Sequence, residues 1–296
     1  DTKFKTAKLK SDNLVDDEKV DTVFTKNFTA QVPLEFKNGA LNYNMNWYYG
    51  PAKYEILNDY ERNLDEIMPL GWGIFGWINR YIFIPVFGFI SALGIGYGVT
   101  IILFTILVRI VMSPVTYKSY LSQAKMKVLR PEIAELNEKF KDNPMKKQQE
   151  TMKLYSKAGV NPMAGCLPAL MQLPVFYALF QFFPSMFDLR QKSFLWADDL
   201  SSYDSIYQLP FHIPFYGSHV SLFPILASIA IFFYMKMTTG DQAMSTPPQE
   251  GMPDMGKIMK IMIYISPVMM LFFFNNYASG LSLYYFISNL ITIGIM

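Results

Sequence analysis

Apolar positions follow two different rhythms along this chain. Up to about residue 66 they alternate with polar ones. Phe28, Ala30, Val32, Leu34 and Phe36 mark one run, and Leu41, Tyr43, Met45 and Trp47 mark another. Between them stands Lys37-Asn38-Gly39-Ala40. Period-two alternation around Asn-Gly predicts a β-hairpin. Because a lone hairpin is marginal in water, residues 1–66 read as the C-terminal part of a larger β domain. From about residue 69 the apolar residues run together in blocks. Residues 67–94, with Trp72, Trp77, Arg80 and Pro85, read as an amphipathic helix lying in a membrane interface, where aromatic rings concentrate. Five blocks follow, near 95–115, 163–183, 220–237, 258–275 and 280–296. Each reaches the roughly 17–20 residues that cross about 30 Å of hydrocarbon. The predicted fold is a polytopic α-helical membrane protein, with a five-span core over 95–296.

Charge orients the spans. Residues 118–160 carry ten Lys or Arg against five Asp or Glu. The loop at 184–219 has Arg190 and Lys192 against Asp188, Asp198, Asp199 and Asp204. Excess Lys and Arg marks the cytoplasmic side. Residues 118–160 are therefore expected inside, together with the C-terminus, and the β domain and the 184–219 loop outside. The inner loop reads as a helical hairpin. Leu121, Ala124, Val128, Leu129, Ile133, Leu136 and Phe140 keep helical spacing. Pro131 is expected to kink or restart that helix. Asp142-Asn143-Pro144 ends one helix and caps the next, and Gly159 stops the second.

Composition agrees with a membrane protein diluted by polar segments. Hydrophobic residues make up 51% of the 296 residues and charged ones 17%, below the ~25% of soluble domains. The single cysteine, Cys166, excludes an internal disulfide framework. With Asp1 in place of Met, the sequence is expected to begin inside a longer protein.

Candidate chemistry centres on Arg109. It interrupts an otherwise apolar run from Ile101 to Met112, with Thr105 one turn earlier on the same face. An ionisable side chain at membrane depth costs about 3 kcal/mol on insertion scales and normally faces a wet cavity or a partner. Snorkelling to the inner interface would require reaching toward Lys118, nine residues or about 13 Å of helix away. The stripe reads as one wall of a polar groove. Gln172 lies mid-span between Pro168 and Pro174, able to bond a neighbouring helix or to face the groove. Ser282 and Tyr285 share a face of the last span. Tyr284 reads as an interfacial anchor or a groove residue, and Tyr285 lies deeper. The methionines of 235–270 suit membrane packing, or an adaptable surface for apolar guests.

Enzymatic readings find little. Gly251 to Lys257 matches G-x-x-x-x-G-K, but Ile258 stands where the metal-binding hydroxyl belongs and no strand precedes it. There is no H-E-x-x-H and no G-x-S-x-G. Both histidines, His212 and His219, fall in the outer loop, so no general base sits within a span. No catalytic residue, cofactor or metal is expected.

Several segments resemble the YidC/Oxa/Alb family of membrane protein insertases. They are T-I-L-V-R-I-V-M-S-P-V-T from Thr105, A-K-M-K-V-L-R-P-E-I from Ala124, N-P-M-A-G-C-L-P-A-L-M-Q-L-P-V-F from Asn161 and S-G-L-S-L-Y-Y-F-I-S-N-L from Ser279. Y-Y-G-P-A-K-Y, Tyr48 to Tyr54, is similar to the end of the external β domain of Gram-negative bacterial members. Asn275-Asn276-Tyr277-Ala278 stand where members commonly carry an aromatic-proline stretch. The resemblance implies a chaperone and insertase of the bacterial inner membrane with a hydrophilic groove open to cytoplasm and lipid. Arg109 would attract the polar or acidic flank of a guest, and Thr105 and Tyr285 would line its path. The partners implied are nascent membrane proteins, the ribosome at the cytoplasmic hairpin, and in some cases the Sec translocon. A small-anion transporter or channel is the competing class, but transporters usually carry internal repeats and none is visible here.

Overall fold

The computed structural model describes residues 7–14, 26–34, 46–140, 143–159, 167–238 and 255–295. The chain divides into two compact units, Asp1–Ile67 and Met68–Met296.

In the first unit β1 (Lys8–Asn13) pairs antiparallel with β2 (Lys26–Gln31), with Phe28 opposite Ser11. The strand expected from Phe28 has a partner upstream, at 8–13. The turn at Lys37–Ala40 lies outside the described residues. All of β2 is exposed, Phe28 at 74%. The described ladder has two strands and no covering layer, so its alternation creates no core there. A short helix, α1 (Tyr54–Asp59), follows the Tyr48–Pro51 turn, where the Tyr48 hydroxyl donates to the Pro51 carbonyl at 2.9 Å.

The second unit is helical. Helix α2 (Gly73–Ser91) runs continuously through a π-helical turn at Asn79–Phe83. Its exposed side carries Ile74, Trp77, Tyr81 and Phe89, and its buried side Asn79, Phe83 and Phe87. By length and composition it is able to cross a membrane, as is Tyr97–Ser122 of the next helix. Helix α3 (Tyr97–Val128) does not stop at the expected interface near residue 115. It carries Pro114 inside and continues into the polar hairpin. That hairpin consists of α4 (Arg130–Lys139) and α5 (Pro144–Lys157). Pro131 sits in the first turn of α4, where its missing N–H costs nothing. Asn143 caps α5, its side chain accepting from the Lys146 N–H at 3.1 Å. Gly159, at φ +61°, supplies the left-handed stop.

Helix α6 (Leu167–Ser185) leads to a loop with one antiparallel hairpin, β3 (Tyr207–Ile213) and β4 (Gly217–Val220). Helices α7 (Leu222–Thr238), α8 (Met255–Phe274) and α9 (Ser279–Ile295) complete the bundle. Helix α9 is central and packs against α7, α3 and α6. Helix α8 packs on α7, and α2 on α3 and α6. Where α2, α3, α6 and α9 meet, Phe87, Phe104, Phe182, Phe183 and Tyr284 are fully buried and meet ring against ring. Phe104 and Phe182 stack at 5.8 Å, and Phe83 meets Phe104 edge-on at 5.3 Å. Such aromatic pairs contribute about 0.5–1.5 kcal/mol each beyond their buried area. Outward-facing positions are apolar instead of charged, among them Ile110, Val111, Phe233, Val268 and Met269.

Candidate functional site: a half-buried arginine above a cavity

Arg109 points inward, between α3 and α9. It is half-buried, and its Nε–H donates to the Ser288 hydroxyl at 2.6 Å. Among the described residues no carboxylate pairs with it. Its positive charge acts on the hydroxyls of Tyr120, Tyr234, Tyr284 and Tyr285. Below it, toward the hairpin end of α3, opens a cavity of about 300 Å³. Arg109, Ser113, Thr116, Tyr117, Tyr120 and Thr292 supply its polar lining, with Pro114 and Ile295 beside them. The Tyr120 hydroxyl faces those of Thr292 and Tyr234. The aromatic layer around Phe104 and Phe182 closes the bundle on the other side of Arg109. One cation thus sits at the closed end of a cavity that extends along α3 toward the basic hairpin.

The other predicted residues lie deeper. Thr105 is fully buried, and its hydroxyl donates to the Ile101 carbonyl of its own helix at 2.7 Å. Ser282 is fully buried and Tyr285 nearly so. Tyr285 stacks on Phe274 at 5.4 Å and leans on Phe176 at 5.5 Å. None of these three forms the wall of the cavity. Gln172 is half-buried beside the Tyr284 hydroxyl, with Ser288 on its other flank, although neither reaches hydrogen-bonding geometry. Tyr284 is fully buried, which rules out the interfacial-anchor reading of its sequence position. The hydroxyls of Ser282, Tyr284 and Tyr285 are buried without a hydrogen-bond partner. Such groups are uncommon and each calls for an explanation.

Ser288, Thr292, Tyr120 and Tyr234 are among the site residues that escaped the sequence reading. A signal for the first two was present. Tyr284, Ser288 and Thr292 recur every four residues along α9, a polar stripe through an apolar span. Tyr120 and Tyr234 carried none, since their meeting is a matter of how α3 and α7 pack around α9.

The sequence model of the 60Kd inner membrane protein family matches residues 88–296, which include every residue of this site. The chain belongs to that family. Among curated relatives, the membrane protein insertase YidC of Parabacteroides distasonis is 47% identical over 279 residues, covering 90% of this chain and 43% of the relative. The protein of the same name from Phocaeicola vulgatus is 47% identical over 281 residues, 91% of this chain and 44% of its own length. That of Bacteroides fragilis is 44% identical over 285 residues, 93% and 45% respectively. The chain therefore spans less than half the length of these relatives. A crystal structure of an active YidC insertase with its first transmembrane domain resolved is 26% identical, with a TM-score of 0.49, covering 81% of this chain and 52% of that one. Membership of an inner membrane protein family accounts for the apolar outer surface of the helices: it faces lipid.

Proposed function

We propose that this chain is the core of a membrane protein insertase and chaperone, which passes nascent membrane proteins into the bilayer along the groove below Arg109. The carrying observation is a half-buried arginine without a carboxylate partner among the described residues, held by Ser288 at the end of a cavity into which Ser113, Thr116, Tyr120 and Thr292 also face. In this reading α3, α6, α7, α8 and α9 are the five spans of residues 95–296. Helix α2, within 67–94, lies at the membrane interface. Residues 1–66 are the end of a periplasmic β domain. The hairpin at 118–160 and the C-terminus face the cytoplasm, where basic residues meet the ribosome and the emerging guest. The protein acts alone or beside the Sec translocon in the bacterial inner membrane. It performs no bond chemistry and needs no cofactor.

The physics is differential solvation. A polar or acidic flank entering the cavity exchanges water for hydroxyls and a guanidinium. At an effective dielectric near 20, a carboxylate 4 Å from that guanidinium gains roughly 4 kcal/mol before desolvation. The guest's apolar segment meanwhile gains about 0.8 kcal/mol per CH₂ on reaching lipid. Gln172, Thr105, Ser282 and Tyr285 form a second polar layer behind Arg109. The unsatisfied hydroxyls of Ser282 and Tyr285 are available to a guest when the helices part.

The test is complementation of a depletion strain, combined with photocrosslinking from Ser113 and Thr105 to ribosome-bound nascent chains. Arg109→Ala is expected to weaken insertion of guests with acidic flanks, and Arg109→Lys to restore most of it. Crosslinks are expected from Ser113 first. Equal function of the Ala, Glu and wild-type proteins would overturn the role of Arg109. Absence of crosslinks at both positions, with saturable binding of a small anion, would favour an anion carrier.

A further inference from the structure

The outer hairpin β3–β4 exposes more aromatic surface than its size requires. Phe215, at the turn, is 89% exposed, Tyr207 61% and Phe211 60%. Every second residue of β3 is apolar: Tyr207, Leu209, Phe211 and Ile213. Between Asp204 and Lys236 the sequence holds no Asp, Glu, Lys or Arg. An exposed two-stranded hairpin in water ordinarily carries charge on its open edges and faces. Phe215 also sits at φ +67°, the left-handed region that bulky residues rarely adopt. A backbone of that shape is more easily made by Gly or Asn, so the ring at this position has a use for which the local geometry gives no reason.

The tip has a fixed place. Tyr216 packs edge-on against Phe272 of α8 at 5.3 Å, and Asn276 donates to the Phe215 carbonyl at 3.3 Å. Phe272 belongs to the apolar, outward surface of α8 that continues through Phe273, Met269 and Val268. The aromatic tip is therefore an extension of the lipid-facing belt at the end of α8 where the chain turns into α9.

We propose that the β3–β4 hairpin is a membrane-surface anchor, with Phe215 and Phe211 seated in the acyl–headgroup boundary of the leaflet at the α8–α9 turn. Aromatic rings favour that zone, and a hairpin without full charges can sink toward the acyl chains without desolvating an ion. The exposed His212 tolerates headgroups, and His219 is buried under the Tyr203 ring at 3.9 Å. The inference rests on the membrane embedding of α8 and not on the groove.

The experiment labels position 215 or 211 with an environment-sensitive fluorophore, through Phe215→Cys or Phe211→Cys on a Cys166→Ser background. The protein is reconstituted in phosphatidylcholine–phosphatidylglycerol liposomes. A label at Asp198→Cys serves as the exposed loop reference. The expected result is a blue shift at 215 and 211, strong quenching by lipids brominated near the headgroup, and severalfold weaker quenching by aqueous iodide than at 198. Iodide quenching equal to that at 198 would overturn the proposal. Protection from both quenchers would overturn it too, in favour of a protein partner on the hairpin. Two labelled positions guard against a variant that fails to fold. Loss of insertase activity with unchanged quenching at Phe215 would leave the anchor standing, so the two readings fail separately.

Discussion

Asn275 holds the β3–β4 loop onto the bundle, and its replacement by alanine is expected to loosen that end of the protein. It lies just past α8 and is fully buried. Its Nδ2 donates to the carbonyls of Tyr216 at 2.8 Å and His219 at 2.9 Å. Its Oδ1 accepts from the Ser221 N–H at 3.1 Å, and its own carbonyl pairs with His219 Nε2 at 2.8 Å and the Ser221 hydroxyl at 3.1 Å. Alanine keeps the main-chain bonds but strands two carbonyls and one N–H. A stranded buried group costs about 1–3 kcal/mol. With partial relaxation the sum is about 3 kcal/mol, or roughly a 10 °C fall in Tm for a unit of this size. Asn275→Asp is a sharper probe. It preserves shape and the Oδ1 acceptor, yet turns a carboxylate oxygen toward two carbonyls, and it is expected to be at least as damaging. The assay is thermal unfolding in detergent followed by tryptophan fluorescence. Trp196 reports on this region because its ring lies 4.5 Å from Phe223. An Asn275→Ala protein melting with the wild type, or an Asp variant more stable than the Ala variant, would refute the reasoning.

Other outcomes follow from the same structure. Asp204 accepts from Trp196 Nε1 and from the N–H groups of Leu222 and Phe223, capping α7 from 18 residues upstream. Asp204→Ala should therefore lower Tm, whereas Asp204→Asn, which keeps an acceptor oxygen, should cost about 1 kcal/mol or less. Burial raises the Asp204 pKa, against the pull of those three donors. The stability tied to its protonated form is thus present at acid pH and lost as pH rises through the raised value; Asp204→Asn should flatten that fall in a pH series of melts. Gly280 opens α9 against the loop, and an added Cβ would meet the Leu200 carbonyl at 3.0 Å and the Phe183 ring at 3.1 Å. Gly280→Ala is expected to cost about 1–3 kcal/mol, measured by the same melts, with Gly294→Ala, where a Cβ meets nothing, as the neutral control. Ser288→Ala removes the acceptor of the Arg109 Nε–H, a bond to a charged group worth about 1.5–3 kcal/mol. Water in the cavity can replace much of it, so Tm should hardly change while insertion in the complementation assay falls. A large loss of Tm would show Ser288 to be structural.

The helices were legible because their signals are local. Asn143, Pro144, Pro131 and Gly159 act on backbone within one turn, and each does in the structure what its chemistry dictates. Arg109 stood out for the same reason, as an expensive side chain in a run of cheap ones. In the first unit β2 pairs with 8–13, a partner that no local signal marked, because a strand's own sequence carries its period and says little about its neighbour; the turn at Asn38-Gly39 lies outside the described residues. The extent of α3 was missed. A change from apolar to basic residues near Lys118 marks a change of solvent, and a helix passes through such a boundary without a break.

Sequence alone therefore sufficed for the class of protein, the order of its helices, the basic hairpin and a charge that needs a partner, Arg109. These depend on solvent preference and backbone chemistry, both of which are properties of neighbouring residues. Only the packed structure decided what surrounds that charge. Ser288 and Thr292 from α9, Tyr120 from the far end of α3 and Tyr234 from α7 converge because three helices cross at one level. It also turned Asn275 from an oddity into a clasp and withdrew Thr105, Ser282 and Tyr285 into the interior. Contacts between residues 50 to 180 positions apart leave no periodic trace in either partner, and burial is a property of the assembled bundle.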